Sequence, residues 1–228
     1  MLRFSVIHFL ILLLLATSVT AQRYHKNDDI GIIVGGSTYE GDINFGSLFH
    51  NPQFAVGLIY RKNFSPHYSL RLGVTGTQLS AADSDLGGDF QKLRNQAFAK
   101  SIIVDISGLV EFNFLELTTD KKKFNFTPFV ATGLTFFGNN YTPKLLNFAI
   151  PLGFGFKYKF APKWTLQLEW IYRFTFTDNL DNLILISEVR DYYNKQYSFD
   201  YTNDIYSIFG VSLLYQIRKK APECPGYK

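Results

Sequence analysis

A single cysteine, Cys224, is present in 228 residues, so no internal disulfide framework holds this chain together. Histidine is scarce as well. Beyond the first 21 residues it occurs only at His25, His50 and His67. A hydrolytic site needs a nucleophile and a base within hydrogen-bond reach, and these three fall in an N-terminal segment, a long connection and a short one. Ser47 near His50 is one local pairing, but loop serines and histidines are common. No Cys/His/Asp grouping has metal-ligand spacing. The glycine-rich "GGSTYEG" from Gly35 belongs to an extended segment and not to a strand–helix turn, so it is no phosphate loop. The formal net charge of +4 is too small and too scattered to argue for nucleic acid. The expectation is a protein that is not an enzyme, with no cofactor, no metal and no evident small-molecule substrate.

Long apolar runs are also missing, with one exception. "MLRFSVIHFLILLLLATSVTAQ" opens the chain with Arg3, continues through an apolar run from Phe4 to Ala16, and ends on the small residues Val19 and Ala21. This is the pattern of a secretory signal peptide over residues 1–21, cut before Gln22. It is shorter than the roughly 20 apolar residues of a spanning helix. No later stretch of that kind exists.

What the chain has in plenty is aromatic residues, 17% of the total with 23 Phe and 14 Tyr, and period-2 alternation. Eight segments alternate, at roughly 30–41, 53–64, 68–80, 100–115, 124–138, 147–160, 164–177 and 204–218. Each has about ten residues or more, the length that crosses a bilayer at a tilt, where soluble strands average about five or six. "SPHY" (65–68), "APK" (161–163) and "LTTDKKK" (117–123) are short connections; 42–52, 81–99, 139–146 and 178–203 are longer. Three short turns and four longer loops are what an eight-stranded antiparallel up-and-down barrel needs when both termini lie on one side.

Along the seventh segment one face carries Trp164, Leu166, Leu168, Trp170, Tyr172, Phe174 and Phe176, the other Thr165, Gln167, Glu169, Ile171, Arg173 and Thr175. In a soluble sheet the apolar face is inside; in a membrane barrel it faces lipid. A lipocalin-like soluble barrel fits the alternation too. The aromatic richness, the strand length and the glycine-rich second face favour the membrane barrel, since the interior of eight strands is just wide enough for side chains to fill. By parity Arg61, Arg71, Lys157 and Arg173 then point inward with Asp105, Glu111 and Glu169. Buried charges must be paired, so these read as a structural lumen network; a proton or ion path is the other reading. No open pore is expected in so narrow a barrel. The domain plan is a signal peptide (1–21), an outer-membrane barrel (22–218) and a periplasmic tail (219–228).

Charge is uneven between the two ends. Lys62, Lys121, Lys122, Lys123, Lys163, Arg218, Lys219 and Lys220 gather at the short-turn end. Asp83, Asp85, Asp89, Asp178, Asp181, Glu188 and Asp191 lie in the longer loops. A basic rim suits anionic headgroups or a periplasmic partner.

Five stretches carry a family resemblance: "GIIVGGSTYEGDIN", "LRNQAFAKSIIVDISGLVEFNF", "TPFVATGLTFF", "YRFTFTDNLDN" and "DIYSIFGVSLLYQIRKKAPECP". In order and spacing they resemble the small outer-membrane barrels of the type IX secretion system, the PorG-like group of the Bacteroidota. The resemblance implies an integral barrel that associates with a large periplasmic ring of the secretion and gliding machinery. On it, Arg218, Lys219, Lys220 and Cys224 in the tail are expected to bind that partner, Cys224 through an intermolecular disulfide. A dispensable free thiol is the alternative. For the whole chain the alternative is a free-standing surface barrel with a structural role, or one that binds a ligand through its outer loops.

Overall fold

The computed structural model describes residues 27–41, 49–82, 97–117, 125–140, 146–177, 180 and 204–217. The expected signal peptide and the tail from Arg218 onward, with Lys219, Lys220 and Cys224, lie outside the described residues, as do Lys121 to Lys123 and nearly all of the 178–203 loop.

Eight strands follow in chain order: β1 (Asp28–Glu40), β2 (Gln53–Asn63), β3 (Tyr68–Ala82), β4 (Ala97–Asn113), β5 (Phe126–Asn139), β6 (Asn147–Ala161), β7 (Trp164–Thr175) and β8 (Ile205–Ile217). Each pairs antiparallel with its sequence neighbours, and β1 closes the barrel on β8. That closing ladder runs without a break from Asp28 opposite Ile217 to Glu40 opposite Ile205. Closure removes both sheet edges, which in lipid would leave unsatisfied backbone groups. The alternating segments of the sequence all appear as strands. β4 starts three residues earlier than its pattern, and β7 stops at Thr175, two residues sooner.

The faces are those of a membrane barrel. Leu58 is 65% exposed and Ile106 60%, while Asp105 and Glu111 are fully buried. Phe154, Phe156, Leu168 and Val211 stand on the outer wall with them. A continuous apolar exterior of this size has no place in water and matches the band that a transmembrane barrel turns to lipid. The shortest strand, β2, has 11 residues, enough to cross the hydrocarbon core at a tilt.

The lumen is narrow because its small residues let backbones and large side chains approach. A Cβ on Gly155 would lie 2.7 Å from the Phe129 ring. Bare glycine at that position leaves room for Phe129 and, against its face, Lys157 (Nζ 4.4 Å from the ring centroid). Pro151 faces the lumen on β6, and there the pairing with β5 is interrupted between Leu152/Thr132 and Ala149/Thr135. A proline has no N–H to donate to the ladder; the Thr132 hydroxyl donates to its carbonyl at 3.0 Å instead.

Candidate functional site

Two tiers of charge fill the lumen, and a plug of apolar side chains closes the long-loop end. The lower tier sits toward the short turns and is centred on Glu111 of β4. Its Oε2 accepts from Lys157 Nζ at 2.6 Å and from Arg61 Nη1 at 3.4 Å. Its Oε1 lies 3.3 Å from Arg71 Nη1. Arg61 also donates through Nε and Nη2 to Asp29 Oδ2, at 2.9 and 2.8 Å, and through Nη1 to Gln167 Oε1 at 2.8 Å. Arg71 is hydrogen-bonded to Glu169, which also accepts from the Gln167 amide. Lys157 has a second acceptor in Asn113 Oδ1 at 2.6 Å. Hydrogen bonds to ionised groups are the strong ones, and a dry network is tolerable only when its members are satisfied.

The upper tier is a separate pair. Arg173 Nε lies 3.1 Å from Asp105 Oδ2, and the guanidinium is 5.3 Å above the ring of Tyr206. The Tyr206 hydroxyl donates to the same Asp105 oxygen at 3.4 Å. The sequence-expected set of Arg61, Arg71, Asp105, Glu111, Glu169 and Arg173 is therefore buried throughout, but it forms two groups and not one. The cations Arg61, Arg71, Lys157 and Arg173 are balanced by the carboxylates of Asp29, Asp105, Glu111 and Glu169.

Asp29, Gln167, Asn113 and Tyr206 are members that parity did not single out. Asp29 fell just before the apparent start of the first alternating segment; extending the alternation one residue earlier puts it on the inner face, directly opposite Arg61. Gln167 and Asn113 carry no charge and so gave no signal beyond their inward parity.

Above both tiers, Asp204 ties the mouth together. It accepts from the Tyr39 hydroxyl at 2.7 Å and from the backbone N–H of Leu180 at 3.0 Å. Leu180 is fully buried and packs in one cluster with Tyr39, Leu79, Ile103, Phe137 and Tyr206. This closes the long-loop end among the described residues.

The two ends also differ on the outer wall. At the short-turn rim Lys62 Nζ lies 5.7 Å from the Phe64 ring centroid. Lys163 Nζ stands over Tyr215 at 5.7 Å and donates to its hydroxyl at 3.3 Å. Trp164 packs edge-on against the same ring, with centroids 5.0 Å apart. Cations above an aromatic belt are the arrangement of a membrane interface. In the middle of β7, Trp170 stays on the outward face, as expected, and is half-buried there. Phe49 folds over it, with centroids 4.6 Å apart. Phe49 does so at φ 60°, a left-handed conformation that is strained for a bulky residue.

His67 belongs to the short turn before β3, where Nδ1 is 2.9 Å from the Asn113 carbonyl. His50 lies in the β1–β2 connection at the other end. His25 and Ser47 are outside the described residues. Among the described residues no three His, Cys, Asp or Glu side chains are grouped to hold a metal ion.

The chain belongs to the family described as Domain of unknown function (DUF6089), which matches residues 5–226. No curated protein matches it. Among solved structures it is similar to Neisserial surface protein A, at 10% identity and TM-score 0.51 over 83% of this chain and 97% of that one. It also resembles OprG from Pseudomonas aeruginosa, at 11% identity and TM-score 0.48 over 86% and 98% of the two chains. Ail, the attachment invasion locus protein of Yersinia pestis, aligns at 10% identity and TM-score 0.46 over 85% and 100%. At such identities the likeness to Neisserial surface protein A is one of fold.

Proposed function

We propose that this DUF6089 chain is an outer-membrane barrel that serves as a non-enzymatic component of a type IX-like secretion and gliding complex, docking a periplasmic ring at its short-turn end. The observation that carries this reading is the lumen. It is filled by interlocked charges below and by apolar side chains above, so the barrel works through its ends and its wall and not through a channel. In the usual orientation of such barrels the short turns and both termini are periplasmic. That end carries Lys62 and Lys163, and the sequence adds Lys121 to Lys123 and the "RKK" of Arg218 to Lys220. A basic surface of this kind steers an acidic partner. The resemblance to the PorG-like barrels supplies the identity of the ring as the partner. Cys224, six residues beyond Arg218 in the sequence, then forms a disulfide to that partner.

Capture of the tagged chain from gently solubilised membranes tests the reading. A periplasmic protein that co-purifies with the full chain and is lost when residues 219–228 are removed supports it. A barrel that elutes alone, with ligand binding that depends on the 178–203 loop, overturns it in favour of the free-standing surface barrel.

A further inference from the structure

The outer wall is not uniform. On β5, β6 and β7 its outward positions are crowded with rings, including Phe126, Phe136, Phe154, Phe156 and Tyr158. On β1 from Ile30 to Val34, and on β3 from Leu70 to Val74, they are aliphatic. The difference leaves a groove of about 770 Å³ in the lipid-facing wall, floored by Ile32, Leu58, Leu72, Val74 and Ile106. It is deep enough to reach the backbone at Gly31 and Gly73. Trp164, Tyr215 and Tyr60 line its short-turn end. Directly beyond them stand two cations: Lys163, bonded to the Tyr215 hydroxyl, and Lys62, two residues past Tyr60 on the same outward face of β2. Asp28, the carboxylate at this rim, is 6% exposed and accepts from the Tyr60 hydroxyl at 3.0 Å.

We infer that this groove is a binding site for one phospholipid of the periplasmic leaflet, with an acyl chain against the aliphatic floor and the phosphate held between Lys62 and Lys163. The floor of the groove is apolar, and the cations sit at one end only. A second barrel or a spanning partner protein would cover the floor equally well, but the two ammonium groups beyond it call for a counter-charge. An anionic headgroup supplies it. The aromatic girdle fixes the depth, since Trp and Tyr rings settle at the headgroup level. The inference rests on the proposed membrane orientation but not on the secretion role. Lys62 and Lys163 also belong to the basic end invoked for docking, but the docking test removes residues 219–228 and leaves both lysines in place.

Native mass spectrometry of the full chain, released from membranes in mild detergent and offered phosphatidylglycerol or phosphatidylcholine, tests it. Wild type is expected to retain one phosphatidylglycerol and to lose phosphatidylcholine. Lys62→Gln and Lys163→Gln should each weaken retention roughly fivefold, the factor for one basic side chain at an anionic surface. Val74→Trp should abolish it by filling the groove, while Val130→Trp, on the wall of β5 away from the groove, should leave it unchanged. Heat-modifiable migration on gels confirms that each variant is a folded barrel. Equal retention in wild type and all variants overturns the inference, as does a lipid-free dimer or a lipid-free complex with another protein. A wild-type chain absent from the membrane fraction refutes the membrane reading itself, a result distinct from an inserted barrel that holds no lipid.

Discussion

Arg61 and Arg71 are direct cross-strand partners on β2 and β3, both inside the lumen and both essentially excluded from solvent. Like charges placed opposite one another on a sheet repel, and burial weakens the solvent screening between them. Glu111 reconciles them. It reaches Arg61 with one carboxylate oxygen and Arg71 with the other, while Asp29 adds a second carboxylate to Arg61 and Glu169 a second to Arg71. Lys157 adds a third cation to the same carboxylate.

Glu111 is therefore the most costly single charge to remove. Glu111→Leu leaves Arg61, Arg71 and Lys157 without their shared acceptor and should destabilise the barrel by about 3–5 kcal/mol, the range for breaking a buried pair. Glu169→Leu leaves Arg71 its contact with Glu111 and should cost less. Urea unfolding in lipid vesicles, followed by tryptophan fluorescence, measures both. Equal stability of Glu111→Leu and wild type would show that the network is not dry.

The outer wall should respond by depth. Leu168, near the middle of β7, is 51% exposed, and Leu168→Arg should cost about 2–4 kcal/mol. Phe174 sits one residue from the end of β7, near the rim, and Phe174→Arg should cost about 0–1 kcal/mol. Thr175, next to it and 3% exposed, points inward; Thr175→Arg should be worse than Phe174→Arg because it forces a cation into the packed mouth. A silent Thr175→Arg with a severe Phe174→Arg would invert the assignment of faces.

Orientation can be read by labelling. In a Cys224→Ser background, a cysteine placed within 178–203 should react with an impermeant maleimide on intact cells, and one placed within 121–123 should react only after the outer membrane is breached. Labelling of the 121–123 position on intact cells would turn the barrel over.

Cys224 gives a separate readout of the docking proposal. Whole cells run on non-reducing gels should show a heavier species that collapses on reduction and is missing in Cys224→Ser. Pro222 and Pro225 flank this cysteine and disfavour regular structure around it. An exported lone cysteine is a free thiol or half of an intermolecular bond. A monomer whose thiol alkylates fully would rule out the disulfide and leave the basic end alone as the docking contact.

Much of this protein was legible from the spacing of its residues. Side chains on a strand alternate with period two, so inward parity alone placed Arg61, Arg71, Asp105, Glu111, Lys157, Glu169 and Arg173 on one face, and every one is buried. The alternation of short and long connections gave the up-and-down order. Alternation is symmetric, however: it separates two faces without saying which of them meets lipid. The three-dimensional arrangement settled that, by closing β1 on β8 and leaving the charged face a volume that only paired side chains fill.

Pairing itself could not be read from parity. Which carboxylate meets which cation depends on how far each strand is staggered against the next and on what the barrel brings across its lumen. Arg71 and Glu169 are 98 residues apart in sequence, and Asp105 is drawn to Arg173 instead of joining the lower tier only because both stand higher up their strands. The outer groove and the fold of Phe49 over Trp170 were hidden for the same reason. The sequence by itself determined strand number, strand order and the composition of each face, because those are local properties of period and length. The tertiary structure alone decided the partners, because register and closure set distances between residues that no local pattern relates.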